Sequence, residues 1–378
     1  MLGAEEFAAW FRLLATPGVG RGTARRLLAA CGSPQAIFAT GKAVLREIAG
    51  PAAAQALAST PPHYAERLAA AQDWLAGGPD RHTLTLGDST FPPALLQTAD
   101  PPLLLYVQGD PARLALPSLA VVGSRHPTAQ GIENARAFAA ALGGQGIVVV
   151  SGLALGIDAA AHEGALSAAA GTVAVVGTGL DRVYPARHRD LAHRIAAHGA
   201  LVSEFAPGTP PLPENFPRRN RIIAGLSQGT LVVEAALQSG SLITARLALE
   251  AGREVFAMPG SIHAPQSKGC HALLKQGAKL VETAQDIIEE VRGPLFAQQS
   301  GLLSGPSARA VPPLGASPPT APADPLLEVL GHDPVTMDAL ISRTGWPAQD
   351  LSSRLMTLEL DGHVARLPGG LYQRLHRG

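Results

Sequence analysis

The chain has 378 residues, of which 46% are hydrophobic and 16% are charged, and this length suffices for two or three domains with substantial cores. Its 30 lysines and arginines balance its 30 aspartates and glutamates, so any anion-binding surface must come from local clustering of charge rather than from bulk charge. The 2 cysteines lie far apart in the sequence, which excludes a disulfide framework and predicts no zinc site.

The first 75 residues are predicted to form a small helical domain. Phe7, Trp10, Phe11 and Leu14 recur at helical spacing, and a Pro-Gly-Val-Gly turn at 17–20 separates them from a second helical segment. Two short helices around such a turn resemble a helix-hairpin-helix of the SAM-like type, which can offer backbone N–H groups to a phosphate. A module that only packs, or only contacts a partner, fits the same pattern, and both interpretations stay open.

No segment of the chain has the pattern of a signal peptide or a membrane span. The N-terminus has no basic region, and the most apolar stretch, 147–157, is interrupted by Ser and Gly and is too short to cross a bilayer. We therefore expect a cytoplasmic protein without a membrane partner.

Residues 82–292 alternate short apolar runs with segments of helical length. The first two runs, 82–86 and 103–107, are separated by Pro-rich turns and are predicted strands. The alternation that follows predicts an α/β fold built on a doubly wound parallel sheet. The strands of this sheet are predicted at 119–122, 147–150, 172–176, 200–203, 230–233, 254–257 and 278–281.

The C-terminal part of the chain is predicted to be a linker followed by a second compact unit. Residues 293–323 are rich in Pro, Ser, Ala and Gly and have no hydrophobic period. Residues 324–378 contain three predicted helices and then two strands around Pro368-Gly369-Gly370, an order typical of a winged helix. Its candidate recognition helix, 348–360, has Arg354 as its single basic residue. Contact with duplex DNA, contact with a protein and a structural role all stay open.

Loops of small residues follow five of the predicted parallel strands, and ligands bind at the carboxyl ends of such strands in an open sheet. Glycine lets the backbone approach a ligand, while serines and helix N-termini donate hydrogen bonds to phosphates. Each loop alone fits a ligand-free turn, but five that converge on one face favour a bound ligand. The loop at 177–181 lacks the third glycine of a dinucleotide fingerprint. The five loops are Gly123-Ser124-Arg125, 151–158, 177–181, Ser239-Gly240-Ser241 and 259–261.

The segment 216–221 places an aromatic residue beside three arginines. Phe216 can stack on a base while guanidinium groups hold phosphates, which is what a groove for single-stranded nucleic acid requires. Arg218 and Arg221 are three residues apart and are expected to share a helix face. The alternatives are a solvated helix with a core aromatic, or burial of one of the last two arginines in an ion pair, for instance with Glu234.

The sequence predicts no catalytic residue, no cofactor and no metal ion. It has no Gly-x-Ser-x-Gly elbow, Walker loop or metal-ligand cluster. Structural roles are therefore expected for the acid–base candidates, and Asp158 in particular is expected to cap a helix or to orient its loop. These candidates are Asp158, His162, Glu163, Glu204 and Glu234.

Together, the ordered motifs resemble the DNA-processing protein A family, also called DprA or Smf. The resemblance implies an extended Rossmann-like fold, a homodimer without enzymatic activity, and a basic pocket for single-stranded DNA that includes Arg125. It also implies protection of incoming DNA and loading of the RecA recombinase during natural transformation. The matching stretches are 121–125, 151–158, 177–185, 216–226, 239–245, 252–261 and 269–278.

The loops, the basic segment and the resemblance together predict the residues that contact DNA. For the dimer, the resemblance points to His271, Leu274 and Leu280, although an apolar face beside a terminal strand is also compatible with ordinary core. The expected DNA contacts are Ser124, Arg125, Gly152, Gly156, Arg187, Phe216, Arg218, Arg219, Asn220, Arg221, Ser239, Gly240, Ser241 and Lys268.

Three positions depart from the family's pattern. Leu155, Ala186 and Pro213 stand where many or some members carry a basic residue. Each missing charge is expected to weaken the attraction for phosphate and to reduce the salt dependence of binding. Arg187 and the doubled arginine at 218–219 are expected to compensate in part.

Two other functions fit parts of the sequence. Gly229-Thr230 ahead of Glu234 faintly resembles the signature of nucleotide phosphoribohydrolases of the lysine-decarboxylase-like family. That signature's Pro-Gly-Gly is absent, however, and the glutamate comes one residue late. A regulator that binds duplex DNA through the winged helix, with the α/β domain as its ligand sensor, is the third interpretation.

Overall fold

Six helices form the N-terminal part of the protein, and the segment predicted to be helical is helical. The computed structural model describes residues 2–299, 324–330, 334–367 and 369–375. The rings of Phe7 and Trp74 pack edge-on against Tyr106 of the neighbouring sheet, with centroids 6.4 and 6.0 Å away. These helices therefore share one core with the sheet. They are α1 (Ala4–Ala15), α2 (Arg21–Cys31), α3 (Pro34–Ala39), α4 (Lys42–Ala49), α5 (Pro51–Leu57) and α6 (Tyr64–Ala76).

A nine-stranded sheet forms the centre of the described structure. Its strands are β1 (Arg81–Thr85), β2 (Leu104–Gly109), β3 (Ser118–Val122), β4 (Val148–Ser151), β5 (Thr172–Val175), β6 (Ala200–Ser203), β7 (Gly229–Val232), β8 (Glu254–Ala257) and β9 (Lys279–Leu280). Their order is β1-β2-β6-β5-β4-β3-β7-β8-β9. The strands β3 to β9 are parallel, whereas β1 and β2 add an antiparallel edge. The predicted doubly wound parallel sheet is confirmed.

Helices cover both faces of this sheet. Every residue of β3, β4 and β5 is buried, which explains why these strands are continuous apolar runs in the sequence. None of the described helices is both long and apolar enough to cross a membrane. The helices of this region are α7 (Pro93–Leu96), α8 (Ala129–Gly144), α9 (Ile157–Ala165), α10 (Arg189–His198), α11 (Asn215–Leu226), α12 (Gly240–Glu250), α13 (Lys268–Lys275) and α14 (Ala284–Gln299).

The direction of the chain reverses at β3. This strand pairs with β4 on one side and with β7 on the other, so that Ala120 lies beside both Val150 and Thr230. The chain proceeds outward from β3 to β6, then crosses to β7 and continues to β9. The carboxyl ends of β3 and β7 therefore bound the crevice in which open α/β sheets bind ligands.

The C-terminal unit has the predicted three helices and hairpin, with a core of its own that includes Leu326, Leu340, Leu351 and Leu355. A short additional strand joins the hairpin in the order β10-β12-β11, and two residues are too few to leave a strand signal in the sequence. The elements are α15 (Pro325–Leu330), β10 (Val335–Thr336), α16 (Met337–Thr344), α17 (Ala348–Leu360), β11 (Val364–Leu367) and β12 (Leu371–Arg374).

The predicted start of the linker needs correction. Helix α14 continues to Gln299, so residues 293–299 are helical rather than part of the linker. The Gly-Pro pair at 293–294 disfavours helix, so composition alone does not predict that the helix extends past it. Residues 300–323, the rest of the predicted linker, lie outside the described residues.

Candidate nucleic-acid interface

The loops after β3 and β4 are packed directly against each other. The carbonyl oxygen of Ser124 accepts a hydrogen bond from the N–H of Ile157 at 3.1 Å, and the Ser124 hydroxyl accepts one from the N–H of His126 at 3.1 Å. Gly156 has a φ of +79°, and a Cβ there would lie 2.4 Å from the Ser124 carbonyl oxygen. Glycine at 156 is thus required for the two loops to meet, and this turn leaves Arg125 exposed.

A cavity of about 700 Å³ opens beside these loops, at the carboxyl ends of β3 and β7. Eight of the residues predicted to contact DNA line it, and they come from the β3 loop, α11 and the start of α12. Gly152, Gly156, Arg187, Arg218, Arg221 and Lys268 do not line it. The eight are Ser124, Arg125, Phe216, Arg219, Asn220, Ser239, Gly240 and Ser241.

An aromatic pair forms one wall of the cavity. The rings of Tyr184 and Phe216 lie 5.6 Å apart between centroids at an angle of 43°, and Tyr184 is 49% exposed. The pair offers an apolar surface on which a base or another flat group can stack. Tyr184 was not among the expected contacts, although its Tyr-Pro pair stood within a matching motif.

The opposite wall is polar. Ser239 caps helix α12, its hydroxyl accepting the N–H of Ser241 at 3.3 Å, and the two serine hydroxyls lie 2.6 Å apart. A helix N-terminus directs unpaired N–H groups and the positive end of its dipole outward. The cavity therefore combines an exposed guanidinium, a stacking surface and hydrogen-bond donors, the groups that a phosphate chain with bases requires.

Arg219 does not face the cavity's solvent, and its expected role as a DNA contact is revised. The residue is 5% exposed, and its guanidinium donates hydrogen bonds to the carbonyl oxygens of Gly152 and Val175. Burial lowers the pKa of Arg219 to about 10. The physical reason is helical geometry: Arg219 lies three and four residues before Ile222 and Ile223, which are 0% and 1% exposed, and so shares their inward face.

The guanidinium of Arg221 also has its partners inside the protein. Its guanidinium donates to the carbonyl oxygen of Asp100 at 2.6 Å and pairs with the carboxylate of Glu204. Asp100 pairs in turn with Arg21 and Arg25 of α2, at 2.7 and 2.5 Å. Partial burial alone would raise the pKa of Asp100, but the hydrogen bonds from Arg21 and Arg25 hold it below its ordinary value. This network ties α2 to α11, and the ion pair envisaged for Arg221 exists, with Glu204 rather than Glu234.

The buried acid–base candidates are held by structural contacts. One oxygen of Asp158 accepts the N–H groups of Gly152 and Ala154 at 3.1 and 3.3 Å, and burial raises the pKa of Asp158. Burial lowers the pKa of His162 to about 3, so its ring is neutral at pH 7, and its Nδ1 lies 2.7 Å from the Thr172 hydroxyl.

The carboxylates of Glu234 and Glu163 also have structural partners. Glu234 accepts hydrogen bonds from the N–H and hydroxyl of Thr128 at 2.9 and 2.6 Å, and Glu163 pairs with Arg136 at 2.9 Å. Within the described ranges, no group of three or more His, Cys, Asp or Glu side chains is placed to hold a metal ion.

The remaining expected residues lie at the edges of the site or away from it. Arg187, Arg218 and Lys268 are exposed outside the cavity lining. Of the expected dimer residues, Leu280 is 53% exposed on the edge strand β9, and His271 shares a hydrogen bond with the carbonyl oxygen of Gly260 at 3.0 Å.

Two family models match this chain, one over the α/β region and one over the C-terminal region. The family model for DNA recombination-mediator protein A matches residues 82–292, and that for the DprA winged helix domain matches residues 310–370. Protein Smf of Escherichia coli (strain K12) is 44% identical over 304 residues, covering 79% of each chain. DNA processing protein DprA of Streptococcus pneumoniae is 47% identical over 203 residues, covering 54% of this chain and 72% of the relative.

Solved structures agree with these matches. The X-ray structure of DNA processing protein A from Streptococcus pneumoniae matches with a TM-score of 0.65 and 35% identity, covering 76% of this chain and 98% of that one. A structure of DNA processing protein A from Helicobacter pylori, which concerns the single-stranded DNA binding mode of that protein, has a TM-score of 0.51 and 32% identity. It covers 57% of this chain and 97% of that one.

The burial of Arg219 predicts a difference between two adjacent arginines. Arg219→Gln is expected to lower the free energy of unfolding by about 3 kcal/mol, because two carbonyl oxygens and Asp158 lose a buried cation. Arg218→Gln, the matched control at the exposed neighbour, is expected to change it by less than about 0.5 kcal/mol. Urea unfolding at neutral pH measures both, and equal losses would contradict the interior placement of Arg219.

Proposed function

Because the chain belongs to the DNA recombination-mediator protein A family, we propose that it binds single-stranded DNA in the cavity between the β3 loop, α11 and α12. The observation that carries the proposal is the convergence of exposed Arg125, the Tyr184–Phe216 pair and the capped start of α12 on one cavity. Arg125 holds a phosphate, the aromatic pair receives a base, and the Ser239–Ser241 turn donates hydrogen bonds to a neighbouring phosphate.

A single strand fits this cavity better than a duplex does. Stacking on Tyr184 and Phe216 requires a base whose face is free, and the bases of a duplex are covered by their neighbours. The polar wall at Ser239 and Ser241 offers no array of long side chains for reading base edges in a groove. Recognition through phosphates and stacking predicts little preference for sequence.

The attraction for phosphate is expected to be modest. The chain has no net charge, and among the described residues the exposed basic side chains at the cavity are few: Arg125 in its lining and Arg187 and Arg218 outside the lining. Leu155, Ala186 and Pro213 add none. Since the salt slope for single strands is about −0.7 for each phosphate neutralised, we expect a shallow salt dependence.

We also propose that the protein acts as a recombination mediator without catalysis of its own, delivering the bound strand to RecA and protecting incoming DNA during transformation. The description of the matched family as DNA recombination-mediator protein A supports this role. The structural partners of Asp158, His162 and Glu234 favour a binding function over an enzymatic one. The proposed organisation is a helical region (1–75), a DNA-binding domain (82–292), a linker and a winged helix (324–378).

Arg125→Ala is expected to weaken binding of labelled oligo-dT by about tenfold and to reduce its salt slope by about 0.7, because one phosphate contact is lost. Fluorescence anisotropy at two salt concentrations measures both quantities. The control is Arg46→Ala, which removes an exposed arginine on α4. If Arg125→Ala binds oligo-dT like the wild type, the proposed contact is wrong.

The wild-type protein and a variant without residues 324–378 distinguish the proposed function from the two other functions that the sequence allows. Hydrolysis of AMP by the wild type would support the phosphoribohydrolase interpretation. A preference for duplex DNA that disappears when residues 324–378 are deleted would support a regulator acting through the winged helix. We expect neither.

The homodimer is proposed to form through the edge of the sheet near His271, Leu274 and Leu280. Leu280→Arg is expected to convert the dimer to a monomer, because it places a charge on the unpaired edge beside β9. Light scattering during size-exclusion chromatography measures the mass. The control is Leu249→Arg on α12, since Leu249 and Leu280 are both 53% exposed. A dimer that survives Leu280→Arg would place the interface elsewhere.

A further inference from the structure

A second cavity, of about 500 Å³, lies between α6, β1 and α10, and the proposed function makes no use of it. Its floor is apolar and includes Leu153, Val176 and Leu201. Four basic residues stand around it, and they come from three separate segments of the chain: Arg81, Arg182, Arg189 and His193.

Two of these basic residues already have interaction partners within the protein. Arg182 pairs with Asp181 at 2.9 Å, and the other oxygen of that carboxylate accepts the N–H of Gly208 at 2.8 Å. The single acidic group of the lining is therefore satisfied. Arg81 donates to the carbonyl oxygen of Trp74 at 2.7 Å and lies 5.3 Å from the centre of its ring.

The other two basic residues are unpaired. Within the described ranges, neither the Arg189 side chain nor the His193 side chain has a hydrogen-bond or ion-pair partner, and both residues are exposed at the cavity. They are four residues apart on α10 and so lie on one face of that helix. Arg189 is the first residue of α10, where the helix dipole disfavours a positive charge. A bound anion would relieve both unfavourable features.

This cavity shares two walls with the first one. Leu153 lines the second cavity and Ala154 the first, while Val183 lines the second and Tyr184 the first. Leu153 has a φ of +58°, a left-handed conformation that is rare for a leucine. The ring of His188 donates a hydrogen bond to the Leu153 carbonyl oxygen at 3.0 Å, so the wall between the cavities is held in a strained form.

We propose that the second cavity binds a nucleotide, with its phosphate between Arg189 and His193 and its base on the apolar floor. The chemistry that it recognises, an anion joined to a flat apolar group, has two sources: a continuing DNA strand or a free mononucleotide. Arg187, which is exposed, stands in the sequence between Tyr184 of the first cavity and Arg189 of the second, so a strand that spans both cavities is expected to meet it. For the strand source, the inference rests on the proposed function.

The test compares oligo-dT of about five and about twenty nucleotides and dTMP, with the full-length protein. The variants are Arg189→Ala, Arg189→Ala combined with His193→Ala, and Arg194→Ala. Arg194 is exposed on the same helix but does not line the cavity, which makes it the matched control. Arg189→Lys tests whether charge alone restores binding.

If the strand continues into the second cavity, Arg189→Ala lowers affinity for the long oligonucleotide about fivefold and reduces its salt slope by about 0.7. Its affinity for the short oligonucleotide stays at the wild-type value, and Arg194→Ala binds both like the wild type. If the source is a free nucleotide, calorimetry detects dTMP binding that the double variant abolishes.

The proposal is overturned if the double variant binds the long oligonucleotide like the wild type and the wild type does not bind dTMP. Equal losses in Arg189→Ala and Arg194→Ala would overturn it as well, because they would indicate a general effect of charge. The short oligonucleotide reports on the first cavity separately. If the wild type binds the short oligonucleotide and Arg125→Ala does not, the proposed function holds even when the second cavity is shown not to be a site.

Discussion

The buried guanidinium of Arg219 is the interaction on which the first cavity depends. It reaches from α11 to the carbonyl oxygens of Gly152 and Val175 at the ends of β4 and β5. The same helix carries Phe216, so a cation that is closed off from solvent sets the distance between the aromatic wall and the strand-end loops. Loss of the guanidinium would leave buried acceptors without donors, which costs more than an exposed arginine contributes.

The site separates charges that hold the fold from charges that can meet a ligand. Arg219 and Arg221 face inward, the second of them joined to α2 through Asp100 and Glu204. Arg125 and Arg218 remain exposed. A chain without net charge can therefore present a local positive surface. In the proposed complex few phosphates are held, so stacking and hydrogen bonds are expected to contribute a larger share of binding than they would on a strongly basic surface.

Much of the fold could be predicted from the sequence because both faces of the sheet are buried, and continuous apolar runs mark the strands to within one or two residues. The convergence of the β3 and β7 loops followed from the topology of such sheets. The composition of 216–221 does not show which of its arginines face inward: Arg219 shares the buried face of Ile222 and Ile223, and Arg221 pairs with Glu204.

Other features depend on segments that are distant in the sequence. The acceptors of Arg219 lie 67 and 44 residues away from it, and those of Arg221 lie on the loop before β2 and the one after β6. The aromatic wall of the cavity needs Tyr184 and Phe216 of α11, which come from different segments of the chain. The second cavity likewise needs α6, β1 and α10 to meet.

Photocrosslinking of oligo-dT that carries 5-iodouracil, with the attached peptides identified by mass spectrometry, tests whether a single strand lies on the aromatic pair of the first cavity. We expect crosslinks at Tyr184 and Phe216, and crosslinks confined to residues 324–378 or to the N-terminal helices would contradict binding in this cavity.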